Sequence, residues 1–485
     1  MDRSTAHFLR GFPTLLRTGR PAIISFLLLL PALSARAPMA GAKPQSGTNL
    51  PKAPFIHKVE LLNGLKLVTV PQSGAARLAV NLLVKAGSAL DPPKKGGTAY
   101  LVAQSLRFAN ELEVLEHWSE EMEDLGATLE IRVDQDSTVF KGEVPAQNLE
   151  SFLDALSYMI LRPHFRLDRL EKLKQQVIAS KIESTDHTQL ARERLHNLVF
   201  RAHPYGRPIH GDLQSLANIG PQDLDEFYKT YYCPNNAVLV ISGDFETSQI
   251  GKVVREKLGG WVKGSKVEQG FQEIPVRESF SMLIVKDKQE EVVVTFGHAG
   301  PPRTTPDYYA IETMNLILGD LGDRSRLAQD FLAKGISHQL LESEFQFAWM
   351  GGLFQVIAVT PSRFVAPALE SVLKAIESLK SSPIKESELA AAKERLLERY
   401  VQMLSSPSLV ADQVTCAELY DLASDFLVSF PKRVQEVTRG RVEEVSKNYL
   451  STSRAIAVFV GDCDSSVPEL QKLGTVRFAE TSASH

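Results

Sequence analysis

The residues with the clearest capacity for chemistry are Glu113, Glu116 and His117, which fall within the short segment EVLEH. Carboxylate and imidazole groups are common zinc ligands, and a glutamate beside them can act as a general base in hydrolysis. The segment contains a single histidine, however, with further acidic residues beside it and Trp118 after it. This composition favours an exposed, charged helix end over a metal site.

Two other groups of candidate residues give weaker signals. His203 and His210 flank a turn in the segment HPYGRPIH, and loop architecture explains them better than metal binding. Cys233, Cys416 and Cys463 are widely separated and form no CxxC pair, so neighbouring cysteines cannot build a zinc knuckle or a redox pair. We expect inert thiols, with a disulfide between two of them as the open alternative.

The elements that must position these residues follow an α+β pattern. Strands, then helices, then a final strand fill the first half of the chain, which is the order expected for an α+β domain. The predicted elements are a hairpin around Asn63-Gly64, a helix over Thr98–Phe108, a helix closed by Gly126, an antiparallel pair over 127–144, helices over 149–161, 167–184, 188–200 and 221–231, and a buried strand at 237–242.

An internal repeat divides the mature chain into two homologous halves. The segment FYKTYYCPNNAVLVISGD, ending at Asp244, aligns without a gap with VSKNYLSTSRAIAVFVGD, ending at Asp462. LESFLDAL at Leu149 aligns with LESVLKAI at Leu369 at nearly the same offset. We therefore predict a leader over 1–42, domains over 43–258 and 278–475, a linker over 259–277 and a tail over 476–485.

Composition and the first residues limit the compartment and the partners. The 485 residues are 44% hydrophobic and 23% charged with a formal charge of −4, which indicates a globular protein that binds proteins or peptides and no nucleic acid. Arginines precede an apolar run, Ala22–Leu33, that is too short for a permanent membrane span. A secretory signal cleaved near Ala37 or Ala42 predicts a periplasmic or secreted protein, and a mitochondrial transit peptide is the alternative.

Several segments, in their order and spacing, resemble the pitrilysin and insulinase superfamily of zinc metallopeptidases. They are LLNGLKLV, GSALDPPKKGGTAY, EEMEDLGATLEIRVDQDSTVF, LRPHF and HPYGRPIHGDLQSLANIGPQDLDEFYKTYYCPNNAVLVISGD. The likeness is to the short two-domain branch that includes mitochondrial processing peptidase. It implies two homologous domains, each a mixed, mainly antiparallel sheet packed with helices, in a half-clamshell.

Active members carry an inverted HxxEH motif, whose histidines bind zinc and whose glutamate is the general base, and a later helix supplies a further glutamate ligand. Carried over residue by residue, these positions hold Tyr100, Ala103, Gln104 and Lys181. The resemblance therefore implies no catalytic residue, no metal ligand and no cofactor in this chain. Lys181 would also repel a divalent cation.

The family's substrate-binding features are altered in one place and retained in another. An arginine and tyrosine pair that grips substrate falls on Leu332 and His338, after Ser325-Arg326-Leu327. Active relatives also bind extended substrate as an added strand at a sheet edge. That edge corresponds here to Gly126, Ala127, Thr128, Leu129, Glu130 and Ile131.

Three hypotheses about function follow. The first is a catalytically inactive subunit that forms a peptide chamber with an active HxxEH sister, which would hold the zinc. The second is a stand-alone peptide-binding or scaffold protein of the cell envelope. The third is a residual hydrolase with a relocated site at Glu113, Glu116 and His117.

Overall fold

The first half of the chain builds a six-stranded sheet in the order β1-β2-β6-β3-β5-β4. The computed structural model describes residues 50–108, 115–183, 185–265, 270 and 273–480. The elements of this half are β1 (His57–Glu60), β2 (Lys66–Pro71), β3 (Arg77–Val84), α1 (Thr98–Ser105), α2 (Leu115–Asp124), β4 (Thr128–Val133), β5 (Thr138–Pro145), α3 (Leu149–Leu161), α4 (Leu167–Glu183), α5 (His187–Phe200), α6 (Leu213–Ala217), α7 (Pro221–Tyr231), β6 (Ala237–Gly243) and α8 (Thr247–Leu258).

The second half builds a second six-stranded sheet in the order β12-β7-β11-β8-β10-β9. Its elements are β7 (Ser281–Lys286), β8 (Glu291–Ala299), α9 (Tyr308–Asn315), α10 (Arg326–Ala333), β9 (Leu340–Gln346), β10 (Leu353–Pro361), α11 (Val365–Ser381), α12 (Glu386–Leu404), α13 (Pro407–Leu419), α14 (Phe426–Glu436), α15 (Arg439–Tyr449), β11 (Ile456–Gly461), α16 (Val467–Leu473) and β12 (Thr475–Glu480). Both sheets are mixed and mainly antiparallel, which confirms the predicted α+β class.

The two sheets share the topology of five strands. The segments that align in sequence end in β6 and β11, and each of these strands lies third in its sheet with a parallel neighbour, β2 or β7. The outermost position differs, because β1 pairs with β2 as an antiparallel hairpin whereas β12 lies parallel to β7. The hairpin turns at Asn63 and at Gly64, whose φ of 89° is in the left-handed region that favours glycine.

One helix of each half packs against the sheet of the other half. Helix α5 packs on β8 and β11, where Ala191, Leu195 and Val199 are buried against the second sheet. Helix α13 packs on β3 and β6 of the first sheet, and its residues Val410 and Ala411 are buried in the core. Both sheets are consequently covered on two faces. This explains why β6 and β11 are apolar and buried along their whole lengths, without polar alternation.

Two predicted boundaries shift in the structure. Residues 476–480, assigned to a tail, belong to β12, because their backbone pairs with β7. The beginning of the predicted linker packs with the first half. Trp261 is 4% exposed and donates its indole N–H to the carbonyl of Tyr232 at 3.0 Å. Glycine and lysine content suggested a free linker, but one buried tryptophan anchors its start.

Candidate functional site

Helix α1 is positioned by Asp91 and the glycine pair before it. Asp91 is buried and accepts hydrogen bonds from the backbone N–H groups of Gly97 and Ala99, both at 2.7 Å. Burial raises the pKa of its carboxyl to about 7. Gly97 has a φ of 97°, and a Cβ there would lie 3.0 Å from the carbonyl oxygen of His210. The segment GSALDPPKKGG therefore fixes where α1 begins and holds it against the 210–211 loop.

Tyr100 and Gln104 on α1 and Arg107 in the tight turn Leu106–Phe108 that follows it recur at helical spacing. Helix α4 packs on α1 and brings Lys181 to the same region. Together with His210, these residues form what we call the α1 surface. All five are partly exposed, whereas Ala103 beside them is fully buried.

The contacts at the α1 surface join positions that are distant in sequence. The Lys181 ammonium donates a hydrogen bond to the carbonyl of Gly211, and the His210 ring lies edge-on to Tyr100 with 4.5 Å between centroids. Burial lowers the pKa of Lys181. Burial, helped by the Lys181 charge, lowers the pKa of His210 to about 4. His210 is therefore neutral at pH 7, and Lys181 is the cation at this point.

The side chains present do not fit a zinc ion. At the four candidate metal-binding positions, Tyr100 offers a phenol, Ala103 a methyl group, Gln104 an amide and Lys181 an ammonium. Burial raises the pKa of the Tyr100 phenol, which keeps it neutral. In the part of the chain that the structure describes, no group of three or more His, Cys, Asp or Glu side chains could hold a metal ion. Ala103 has no group that accepts a proton, so water at this point has no general base.

The predicted peptide-binding edge corresponds largely to β4, which is the outermost strand of its sheet. Strand β4 pairs with β5 on one side and adjoins α1. The first two residues of the predicted edge, Gly126 and Ala127, precede β4. Gly126 ends the turn after α2 and its carbonyl accepts from Arg77 at 2.6 Å, while the N–H of Ala127 bonds to Met122 at 2.8 Å. Backbone open to a partner is therefore expected from Thr128 onward.

The other candidates lie in the second half of the chain or outside the described residues. Leu332 is 75% exposed on α10, and the ring of His338 contacts Phe331 with 5.5 Å between centroids. Both belong to the second half, where α10 packs on α11. Glu113 lies outside the described residues, and the side chains of Glu116 and His117 are not described either.

The environments of the remaining candidate histidine, His203, and of the three cysteines indicate structural roles. His203 is buried and its Nδ1 accepts from the N–H of Tyr205 at 3.2 Å, which confirms a role in loop architecture. Cys233, Cys416 and Cys463 are free thiols, and burial raises the pKa of each. A raised pKa leaves a thiol protonated and unreactive at neutral pH.

A cavity of about 110 Å³ between the two halves was not anticipated from the sequence. Asp136, in the turn between β4 and β5, accepts from the Tyr205 hydroxyl and from the backbone N–H of Trp349 at 2.8 Å. Burial and the neighbouring Asp136 raise the pKa of Asp134 to about 7. The lining also includes Arg303, Glu312, Phe347, Cys416 and Tyr420. Acidic turn residues are usually exposed, so only three-dimensional packing reveals their burial.

No helix in the described ranges is long and apolar enough to cross a membrane.

Comparisons with known proteins agree on one family. A model described as insulinase (peptidase family M16) matches residues 66–213, and one described as peptidase M16 inactive domain matches 218–396. A probable mitochondrial-processing peptidase subunit beta of Arabidopsis thaliana is 21% identical over 76% of this chain and 71% of its own length. Zinc protease PqqE of Helicobacter pylori is 21% identical over 87% of this chain and 95% of its own.

Solved structures show the same fold. The peptidase M16 inactive domain of Pseudomonas fluorescens superposes with a TM-score of 0.78 at 22% identity, covering 84% of this chain and 98% of that one. A protease from Helicobacter pylori gives a TM-score of 0.78 at 20% identity, covering 84% of this chain and 99% of its own. At these identities the likeness establishes the fold alone.

Proposed function

Because the chain belongs to the M16 family of insulinase-type peptidases, and because Lys181 occupies a zinc-ligand position, we propose that it is a non-catalytic subunit. It holds peptides in a chamber formed with an active sister chain that carries HxxEH and binds the zinc. The observation that carries the proposal is the hydrogen bond from the Lys181 ammonium to the carbonyl of Gly211. This bond stabilises a positive charge where an active member would bind a cation.

The chemistry of the α1 surface supports a non-catalytic role. Metal-assisted hydrolysis needs a cation that acidifies water and a base that accepts its proton. Tyr100 and Gln104 are poor zinc ligands, and Ala103 replaces the base. Loss of a single ligand could weaken a metal site, but loss of all three ligands and the base removes the reaction.

The retained fold supports peptide binding. A sheet edge binds an extended peptide through backbone hydrogen bonds, which need no particular side chain and no metal. Strand β4 offers such an edge from Thr128 onward, next to α1. The Arabidopsis thaliana relative is described as a subunit of a processing peptidase, which is in keeping with work in an assembly.

The proposal is tested with the full mature chain and a homologue from the same organism that carries HxxEH. Alone, the chain should contain no stoichiometric zinc by plasma mass spectrometry and should cleave no peptide. Mixed with the sister, it should form a one-to-one heterodimer by native mass spectrometry. One tightly held zinc per chain would contradict the proposal.

The same experiment separates the second hypothesis. If the chain does not bind the sister, forms a homodimer and binds unfolded peptides, it is a stand-alone peptide-binding or scaffold protein. The leader over 1–42 supports a periplasmic or secreted location, with a mitochondrial location as the alternative. N-terminal sequencing of the mature protein and fractionation of the source cells distinguish these locations.

A further inference from the structure

The α1 surface carries a second positive charge that the loss of the metal site does not explain. Arg107 lies in the tight turn Leu106–Phe108 that follows α1, and its Nε atom is buried without a hydrogen-bond partner among the described residues. Burial lowers the pKa of its guanidinium, which nevertheless stays charged. A buried, unsatisfied N–H on a charged group is costly, so the guanidinium lacks hydrogen bonds that would fix it within the fold.

The acidic residue beside Arg107 already has a partner. Glu130 on β4 forms two hydrogen bonds with Arg132, one from Nε at 2.8 Å and one from Nη2 at 2.9 Å. This bidentate pair neutralises Glu130 and holds its oxygens. The charge of Glu130 raises the pKa of Arg107, but the two side chains make no ion pair in the described part of the chain.

Lys181 likewise lacks a carboxylate at ion-pair distance within the described ranges. Glu193 and Asp212 are the acidic groups that raise its pKa at longer range. Glu193 accepts from the Gln189 amide at 3.1 Å, and Asp212 caps α6 by accepting from the N–H of Ser215 at 2.7 Å. The α1 surface therefore presents two cations whose acidic neighbours bond elsewhere.

We propose that the α1 surface binds carboxylate groups, so that peptides held along β4 are selected for acidic residues. The inference rests on the proposed peptide-holding function, and it names the chemical class of the peptide. Arg107 and Lys181 would supply charge-assisted hydrogen bonds, which are about twice as strong as neutral ones. An anion is thus favoured at the position where active members of the family hold a cation.

Geometry sets the spacing of the acidic residues. Tyr100, whose ring contacts His210 beside Lys181, and Arg107 are separated by about 10 Å along α1 and the turn after it, at about 1.5 Å per residue. Side chains on one face of an extended peptide recur about every 7 Å. Acidic residues two to four positions apart would therefore reach both cations, and an alternating peptide presents them on one face.

The probes are nine-residue peptides of alternating threonine with glutamate, glutamine or lysine, acetylated, amidated and labelled for fluorescence anisotropy. The full chain, alone and with its sister, should bind the glutamate peptide at least about tenfold more tightly than the glutamine peptide. A glutamine peptide with a free carboxyl terminus tests whether a terminal carboxylate can replace the acidic side chains.

Single substitutions identify the responsible cations. Arg107→Gln and Lys181→Gln should each weaken binding of the glutamate peptide severalfold more than binding of the glutamine peptide. Lys172→Gln is the matched control, because Lys172 is an exposed lysine on the same helix as Lys181. Arg107→Lys keeps the charge and should retain most of the preference if Arg107→Gln impairs folding.

Three results would overturn the inference, and they differ in what they imply for the proposed function. Equal binding of the glutamate and glutamine peptides, or an equal effect of Lys172→Gln and Lys181→Gln, rejects carboxylate selection and leaves peptide holding intact. Failure of every peptide to bind, with or without the sister, rejects both.

Discussion

At the scale of single residues, charge and burial decide what the α1 surface can do. A lysine in place of a carboxylate changes the sign of the charge, and partial burial prevents water from screening it fully. The hydrogen bond to Gly211 shows that the ammonium is accommodated by the fold. Under the proposed function, four altered positions separate this surface from a metal site.

Restoring those residues should restore metal binding. The variant Tyr100→His, Ala103→Glu, Gln104→His, Lys181→Glu should bind roughly one zinc per chain, because α1 and α4 already pack together. Plasma mass spectrometry after dialysis measures this. The variant that keeps Lys181 is the control and should bind zinc far more weakly. A folded quadruple variant without zinc would show that these helices differ in arrangement from those of active members.

The raised pKa of Asp134 predicts that the stability of the folded protein depends on pH. Burial and Asp136 raise its folded-state pKa to about 7, above the value of about 4 in unfolded chains. The folded state then binds the proton more tightly, so stability falls as the pH rises from 4 to 7. Asp134→Asn should gain about 2 kcal/mol relative to wild type between pH 5 and pH 8, measured by urea unfolding. A constant difference between the two proteins would contradict this assignment.

At the scale of elements, the start of α1 depends on a single buried cap. The hydrophobic pattern predicted a helix over Thr98–Phe108, and the structure has α1 over Thr98–Ser105 followed by a tighter turn over Leu106–Phe108. The pattern did not identify Asp91, because a cap several residues upstream is recognised only when the loop geometry is known.

Removing that cap should destabilise the first half. Asp91→Ala leaves the N–H groups of Gly97 and Ala99 without their acceptor and should cost about 1 to 2 kcal/mol. Asp225→Ala is a suitable control, because Asp225 makes an exposed pair with Lys229 at 2.6 Å that should be worth less than about 0.5 kcal/mol. Thermal and urea unfolding compare the two variants, and equal losses would exclude the capping role.

At the scale of the whole molecule, the two halves are joined by exchanged helices and buried polar contacts. Asp412 on α13 accepts from Asn81 on β3 at 3.0 Å and pairs with Lys141 on β5 at 2.7 Å. Asp136 makes a similar link from the β4–β5 turn to Trp349. The halves should therefore unfold together, as one cooperative unit.

Breaking one of these links should loosen the whole chain. Asp412→Ala leaves Lys141 largely buried without its carboxylate and should cost about 3 kcal/mol or more. Limited proteolysis should then cut between the halves, and urea unfolding should lose its single transition. Lys141→Met in the same background removes the stranded charge and should recover part of the stability. No recovery would mean that the pair itself is not the cause.

The sequence by itself determined the family, the duplication and the chemical identity of the altered positions. Landmark segments and the aligned strands that became β6 and β11 depend on local patterns, which a single chain displays directly. The likeness also identified Lys181 as a position to compare with a metal ligand.

Only the tertiary structure decided which of these residues meet and which are buried. The contact of His210 with Tyr100 and the exchange of α5 and α13 join parts of the chain that are distant in sequence. Acidic turn residues are usually exposed, yet the second half of the chain covers Asp134. Burial depends on every element that packs around a residue, so neither spacing nor composition could have supplied it.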